Sequence, residues 1–289
     1  MNLNYTVKKL IIKILFFSFI SCYTFNTIIY TSKVNLSNFL NPQINLYSIN
    51  KFNTELSSKS KPSIDLNNID ADNVQNYLAK RESFNTGEKI AFLTFDDGPS
   101  TTITPKILKI LDDYNIKATF FVCGNRIDYP EEAKEVLLSE YNNGHSIGNH
   151  TYNHNFKKLY PNRYINTKYF IEELSKNDDC LKETLGENFN TRIVRFPGGH
   201  NTWKGSTKVD KILNEKGYKY IDWNISIDDS IGGTKTKTQL FNTYKKEFKN
   251  QEKIIILMHD TYGKESTVKV LPEIIKDLQN KGYEFKTLK

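Results

Sequence analysis

"KIAFLTFDDGPS", residues 89–100, runs almost wholly apolar from Ile90 to Phe95 and then sets Asp96 and Asp97 side by side before Gly98 and Pro99. The apolar run reads as a buried strand, and Gly-Pro as its stop. Adjacent carboxylates repel and add nothing to a core. A buried strand that ends on two of them implies that a positive group sits there, or that a proton has to move.

Similar runs recur downstream: "ATFFV" (118–122), "RIVRF" (192–196), "KYIDWNI" (219–225) and "KIIILM" (253–258), with "GHSIGNH" (144–150) as a further short strand. Helix-like segments lie between them at 130–142, 166–185, 206–216, 236–249 and 267–281. This alternation predicts right-handed βαβ units around a parallel sheet, hence an α/β fold. Each strand ends on a polar or reactive group: Asp96–Asp97, Gly124–Asn125, His150, Arg195, Asn224 and His259. An open sheet would spread these along an edge, whereas a barrel brings the carboxyl ends of its strands to one mouth. A barrel is the expected architecture.

The bulk properties narrow the partners. A chain of 289 residues with 38% hydrophobic residues is globular, and its net charge of +7 favours anionic surroundings. The lysines are scattered, with no basic stripe and no interleaved aromatic platform, so nucleic acid is not an expected partner. An anionic cell wall or membrane surface fits. Cys22, Cys123 and Cys180 form no CxxC pair, which argues against a thiolate zinc site. Cys123 and Cys180 are expected as two buried thiols rather than a bridge. No repeat is visible, and a monomer is expected.

Lys8 and Lys9 precede "LIIKILFFSFISCYTFNTIIYTSK" (10–33), a basic segment followed by an apolar one, which is the pattern of export. The apolar part approaches the roughly 20 residues that span a bilayer. A cleaved signal, an uncleaved anchor and a lipoprotein signal acylated at Cys22 all compete for it. With no clean small-x-small cleavage site, an uncleaved anchor is expected. Residues 1–31 are thus read as signal or membrane anchor, and 32–85 as an Asn/Ser/Lys-rich stalk with local helix in "ADNVQNYLAKRESF". Residues 86–289 are expected to form the α/β domain, placed outside the membrane.

The chain has five histidines, two of them in "NHTYNH". His150 and His154 stand four apart, so one helical turn would aim both imidazoles the same way. With one aspartate of the 96–97 pair they make a three-ligand, open-sided metal site. The other aspartate is then free to act as general base. His259 closes the last long apolar strand, where a barrel would aim it into the same mouth as an acid. Arg195, ending "RIVRF", calls for a carboxylate partner. Gly198 and Gly199 allow close backbone approach, so that an N–H could face an oxyanion.

Taken together, "TFDDGP", "HTYNH", "RFPGG", "WNISIDD" and "LMH" resemble, in order and approximate spacing, the five motifs of the polysaccharide deacetylase (NodB-like) family, carbohydrate esterase family four. The resemblance covers about residues 86–289. It implies a distorted (β/α)7 barrel and a divalent metal, usually zinc, with cobalt, nickel or manganese as alternatives. The ligands would be Asp97, His150 and His154. Asp96 would be the base, Arg195 its orienting partner, His259 the acid and Asp229 the residue tuning it. Leu257 would line the pocket for the acetyl methyl. Ser230 stands where many members carry Trp, so Trp223 or Trp203 would replace part of that wall. Gly199 stands where many carry Tyr, which would leave its backbone N–H as oxyanion donor. The implied activity is hydrolysis of N-acetyl groups on a polysaccharide. The export pattern and basic charge put N-acetylglucosamine of peptidoglycan first. Chitin oligomers, exopolysaccharides and acetylated xylan remain open, as does a silent wall-binding module. Aromatics such as Tyr152, Tyr160 and Trp203 are candidates for stacking on sugars or for plain packing.

Overall fold

The computed structural model describes residues 68–79 and 87–289. The expected anchor (1–31) and most of the expected stalk lie outside the described residues. Among the described residues, no helix is long and apolar enough to cross a membrane.

In chain order the elements are β1 (Asn68–Ile69), α1 (Ala71–Leu78), β2 (Ile90–Gly98), α2 (Thr104–Asp113), β3 (Thr119–Val122), α3 (Gly124–Ile127), α4 (Glu132–Asn142) and β4 (Ser146–Asn149). They continue with α5 (Phe156–Leu159), α6 (Thr167–Leu185), β5 (Ile193–Val194), α7 (Ser206–Glu215), β6 (Lys219–Tyr220) and β7 (Ile225–Ser226). The chain closes with α8 (Lys237–Glu247), β8 (Lys253–His259), α9 (Glu265–Asn280), β9 (Glu284–Phe285) and β10 (Thr287–Leu288). α2 escaped the sequence reading, although Ile107, Leu108 and Leu111 carry the helical spacing.

The main sheet is parallel, in the order β6-β5-β4-β3-β2-β8-β7, with β9 beside the start of β2. Its two edges, β6 and β7, are consecutive in sequence and only residues 221–224 join them. Six gaps of about 4.8 Å would put the edges of a flat sheet about 29 Å apart. Five residue steps reach at most about 17 Å. The sheet therefore curls until its edges approach, which is the expected barrel left open along one seam. "KYIDWNI", read as a single strand, is two strands flanking that seam. Asn224 fastens it, donating from Nδ2 to the Lys253 carbonyl at 2.8 Å and accepting from the Ile255 N–H at 2.9 Å.

Alternation sorts side chains between the two faces of the wall. Ile90 and Phe92 of β2, Phe121 of β3, Ile193 of β5 and Ile255 of β8 form the barrel interior with Ile221. Ala91, Leu93 and Phe95 face outward with Phe120, Ile254, Ile256 and Met258, under α2, α8 and α9. A third cluster joins α5, α6 and α7 to Val194 and Phe196.

β1 pairs in parallel with β10, and Ala71 and Val74 of α1 join the interior cluster beside Leu288. Asp72 of α1 binds Lys219 at 2.6 Å and also Arg192. The helix expected in the stalk thus exists, and it packs on the barrel near the amino ends of the strands. Cys123 and Cys180 are buried free thiols, as expected.

Candidate active site

The interior alternation carries three functional side chains to one mouth. On β2 the sequence Ile90, Phe92, Thr94 leads to Asp96; from β5, Ile193 leads to Arg195; on β8, Ile255 and Leu257 lead to His259. Asp96 and His259 are register partners on neighbouring strands. The Arg195 guanidinium is fully buried over the Phe121 ring and donates to Asp96 Oδ1 at 2.8 Å. Three further donors go to Thr94 Oγ1 (2.7 Å) and the carbonyls of Ile221 (2.8 Å) and Asp222 (3.3 Å). The seam segment thus holds the arginine, and the arginine fixes one oxygen of Asp96.

Strict alternation would turn Asp97 outward. Instead the β2–β3 register slips between Asp96 and Gly98, and Asp97 adopts φ +70°, a left-handed conformation costing about 1 kcal/mol or more for a residue with a Cβ. This bulge lets neighbouring carboxylates face the same mouth. Asp97 Oδ1 lies 3.4 Å from His150 Nε2 and 3.2 Å from His154 Nε2. His150 Nδ1–H donates to the Arg195 carbonyl at 2.8 Å, which leaves the Nε2 lone pair facing the aspartate.

A divalent cation fits here. The ligand atoms of Asp97, His150 and His154 lie within 4.8 Å of one another, and Asp97 Oδ1 is buried without a hydrogen-bond partner. The electrostatics agree. Burial opposes charge on Asp97, yet the imidazoles of His150, His154 and His259 hold its carboxyl far below the usual range. Burial and the neighbouring His150 push His154 down to about 4, which keeps it a neutral ligand. Burial lowers the pKa of His150, but Asp96 and Asp97 outweigh it and raise it. The same field attracts a cation.

Opposite stands His259, its Nε2 4.0 Å from Asp97 Oδ2. Its Nδ1–H donates to Asp229 Oδ1 at 2.7 Å. Asp229 Oδ2 accepts the His259 backbone N–H (2.9 Å) and the Thr267 hydroxyl (2.7 Å). Burial lowers the pKa of His259, but Asp229, then Asp97 and Asp96, override it and raise it to about 9. The imidazole is a proton donor at neutral pH.

The polysaccharide deacetylase family profile matches residues 84–221. A peptidoglycan-N-acetylglucosamine deacetylase of Bacillus cereus is 34% identical over 209 residues, covering 70% of this chain and 87% of that one. The chain belongs to the polysaccharide deacetylase family. A carbohydrate esterase family four esterase from Streptococcus mutans superposes with a TM-score of 0.70 at 33% identity, over 77% of this chain and 92% of that one. The catalytic domain of a peptidoglycan N-acetylglucosamine deacetylase from Eubacterium rectale gives 0.61 at 30% identity, over 71% and 90%. Members of the family are metal-dependent hydrolases of N-acetyl amides, and the Asp97–His150–His154 group of this chain could hold such a metal.

Against this deacetylase pattern, several expectations change. His150 and His154 do not share a helical turn. They lie on the loop after β4, where Thr151 (φ +66°) and His154 (φ +52°) take left-handed conformations that fold the second imidazole back on the first. The Gly199 N–H cannot serve as oxyanion donor, because it is donated to the Phe196 carbonyl at 2.8 Å. Gly199 instead makes room for Trp223: a Cβ there, at φ +86°, would lie 2.9 Å from the indole. Trp223 is half-buried on the interior cluster, near the Arg195 guanidinium. Trp203 and Tyr160 stack on each other at 3.9 Å, so packing accounts for both. Tyr152 binds Asp128 and lies under Lys176. Leu257, nearly buried, faces inward one strand step below His259. Thr94 and Thr267 escaped the sequence reading. Thr94 was findable, since it stands two residues before Asp96 and so shares its face.

Proposed function

We propose that this protein removes N-acetyl groups from a cell-wall polysaccharide, N-acetylglucosamine of peptidoglycan first among them. One observation carries the reading: a base held by Arg195 lies 3.7 Å from His150, and an acid held by Asp229 lies 4.0 Å from Asp97, so both border the Asp97–His150–His154 group. A divalent cation held by those three residues, zinc first among candidates, would polarise the acetyl carbonyl and acidify the attacking water. Asp96 Oδ2, left free by the arginine, takes the proton of that water as it attacks the carbonyl carbon. His259 Nε2–H protonates the nitrogen as the C–N bond breaks, and acetate leaves a free amine on the sugar. Leu257 borders the space for the acetyl methyl. The nucleophile in this reading is water rather than a side chain, so no acyl-enzyme forms.

The substrate choice draws on the relatives' names and on the +7 charge, which suits an anionic wall. The lysine-led apolar run at 10–33 supports an extracytoplasmic protein anchored by its N-terminal segment. Acetate release decides the matter, measured on peptidoglycan fragments, chitin oligomers and acetylated xylan, with and without chelator. Fastest release from peptidoglycan, abolished by chelation and restored by zinc, is expected. Release from xylan alone overturns the peptidoglycan assignment; equal rates with and without chelator overturn the metal.

A further inference from the structure

Asp97 reaches the mouth only through a left-handed bulge, and something must hold it there. The residue that does so follows the acid histidine. Asp260 is fully buried and, by alternation with Ile256 and Met258, points away from the barrel interior toward the start of α2. Its backbone N–H donates to the Asp96 carbonyl, immediately before Asp97, at 3.2 Å. Its carboxylate packs on Gly98, immediately after Asp97, so closely that a Cβ on Gly98 would lie 2.2 Å from Oδ2. Oδ2 is 2.5 Å from the Thr104 hydroxyl, and that hydroxyl accepts the Ser100 N–H at 2.9 Å. The Ser100 hydroxyl returns a bond to the Asp260 carbonyl at 2.6 Å. Residue 260 therefore grips the chain on both sides of Asp97.

We propose that Asp260 is a positioning residue for the metal ligand Asp97, acting through Gly98, Ser100 and Thr104 to fix the bulge that aims its carboxylate. Stability alone gives a poor account of this residue. Asp260 Oδ1 is buried with no hydrogen-bond partner, a cost that an apolar side chain would not carry. The network needs a polar group of this size on Thr104. It uses no part of Asp260 as a ligand, base or acid. The proposal rests on the metal-dependent reading above.

The test uses the full chain and Co2+ or Zn2+, with affinity read by competition against a chromophoric chelator. The Co2+ visible spectrum and thermal unfolding are recorded alongside. Asp260→Ala should weaken the cation by about 10–100-fold, the usual effect of removing support behind a ligand, and should alter the Co2+ spectrum. Asp260→Asn keeps a polar partner for Thr104 and should restore most of the affinity. Thr104→Val should weaken binding in the same direction, and it decides the question where Asp260→Ala does not fold. Wild-type affinity and spectrum in the Ala or Val variants, with only a lower unfolding temperature, overturn the positioning role. A wild-type chain that binds no cation overturns the metal reading itself, a separate outcome.

Discussion

Asp96 and Asp97 are chemically identical, and their surroundings give them different work. Asp96 gives one oxygen to Arg195, while Asp97 faces two imidazole nitrogens. Asp97→Asn should therefore lose metal and activity together. Asp96→Asn should keep the metal and lose on the order of 10²–10⁴ in turnover. Metal content of the two purified variants checks this, and loss of metal from Asp96→Asn alone reverses the assignment. At His259 the Asp229 carboxylate outweighs burial and raises the pKa to about 9. A base form appearing above that value removes the acid, so the basic limb of the pH–rate profile belongs to His259. Asp229→Asn should move that limb to lower pH. The raised pKa also contributes stability that is complete below the ordinary histidine value near 6.5 and is lost as pH rises toward 9. Denaturant midpoints at pH 6 and 9.5 should differ more for the parent chain than for Asp229→Asn.

At the scale of the element, the strand pattern was legible and its interruptions were not. The sequence sets Asp96, Arg195 and His259 at strand ends that meet in one mouth; alternation puts them on the interior face, because each lies an even number of residues from an apolar interior neighbour. The same rule sends Asp97 the wrong way, since a bulge leaves no mark in the apolar pattern. The spacing of His150 and His154 invited a helix, whereas left-handed turns at Thr151 and His154 did the work. "KYIDWNI" keeps its alternation across the seam, so nothing in it announces a change of edge. The sequence around α1 suggests only local structure in a stalk, but Ala71 and Val74 are buried among Ile90, Phe92, Ile221 and Leu288. Burying a valine is worth about 1.5–3 kcal/mol, so Val74→Asp should lower the unfolding temperature by roughly 5–10 °C. A chain beginning at residue 80 should bind a hydrophobic dye that a chain beginning at residue 66 does not. An unchanged unfolding temperature for Val74→Asp would show that α1 folds independently of the barrel.

For the whole molecule, the curl of the sheet turns a list of strand ends into a site. β2 and β8 carry the base and the acid on adjacent strands, while β5, three strands from β2, sends Arg195 across the interior to meet Asp96. The seam segment between β6 and β7 supplies the carbonyls that hold that arginine. The architecture was readable because polar residues stand at strand ends throughout the chain. The open seam was not, because it depends on how far the sheet curls.

The parallel pairing of β1 with β10 has a mechanical consequence. Asn68 joins the folded part beside Thr287, next to the first residues of β2 and β3. The reacting groups stand at the far ends of the same strands, about 20 Å away by the rise of β2 from Ile90 to Asp96. The chain upstream of Asn68 is thus attached at the heel of the barrel, and the reacting groups stand at the toe. A surface coupled just ahead of Asn68 would therefore leave the mouth facing away from it, whereas one coupled at the carboxyl ends of the strands would cover the reacting groups.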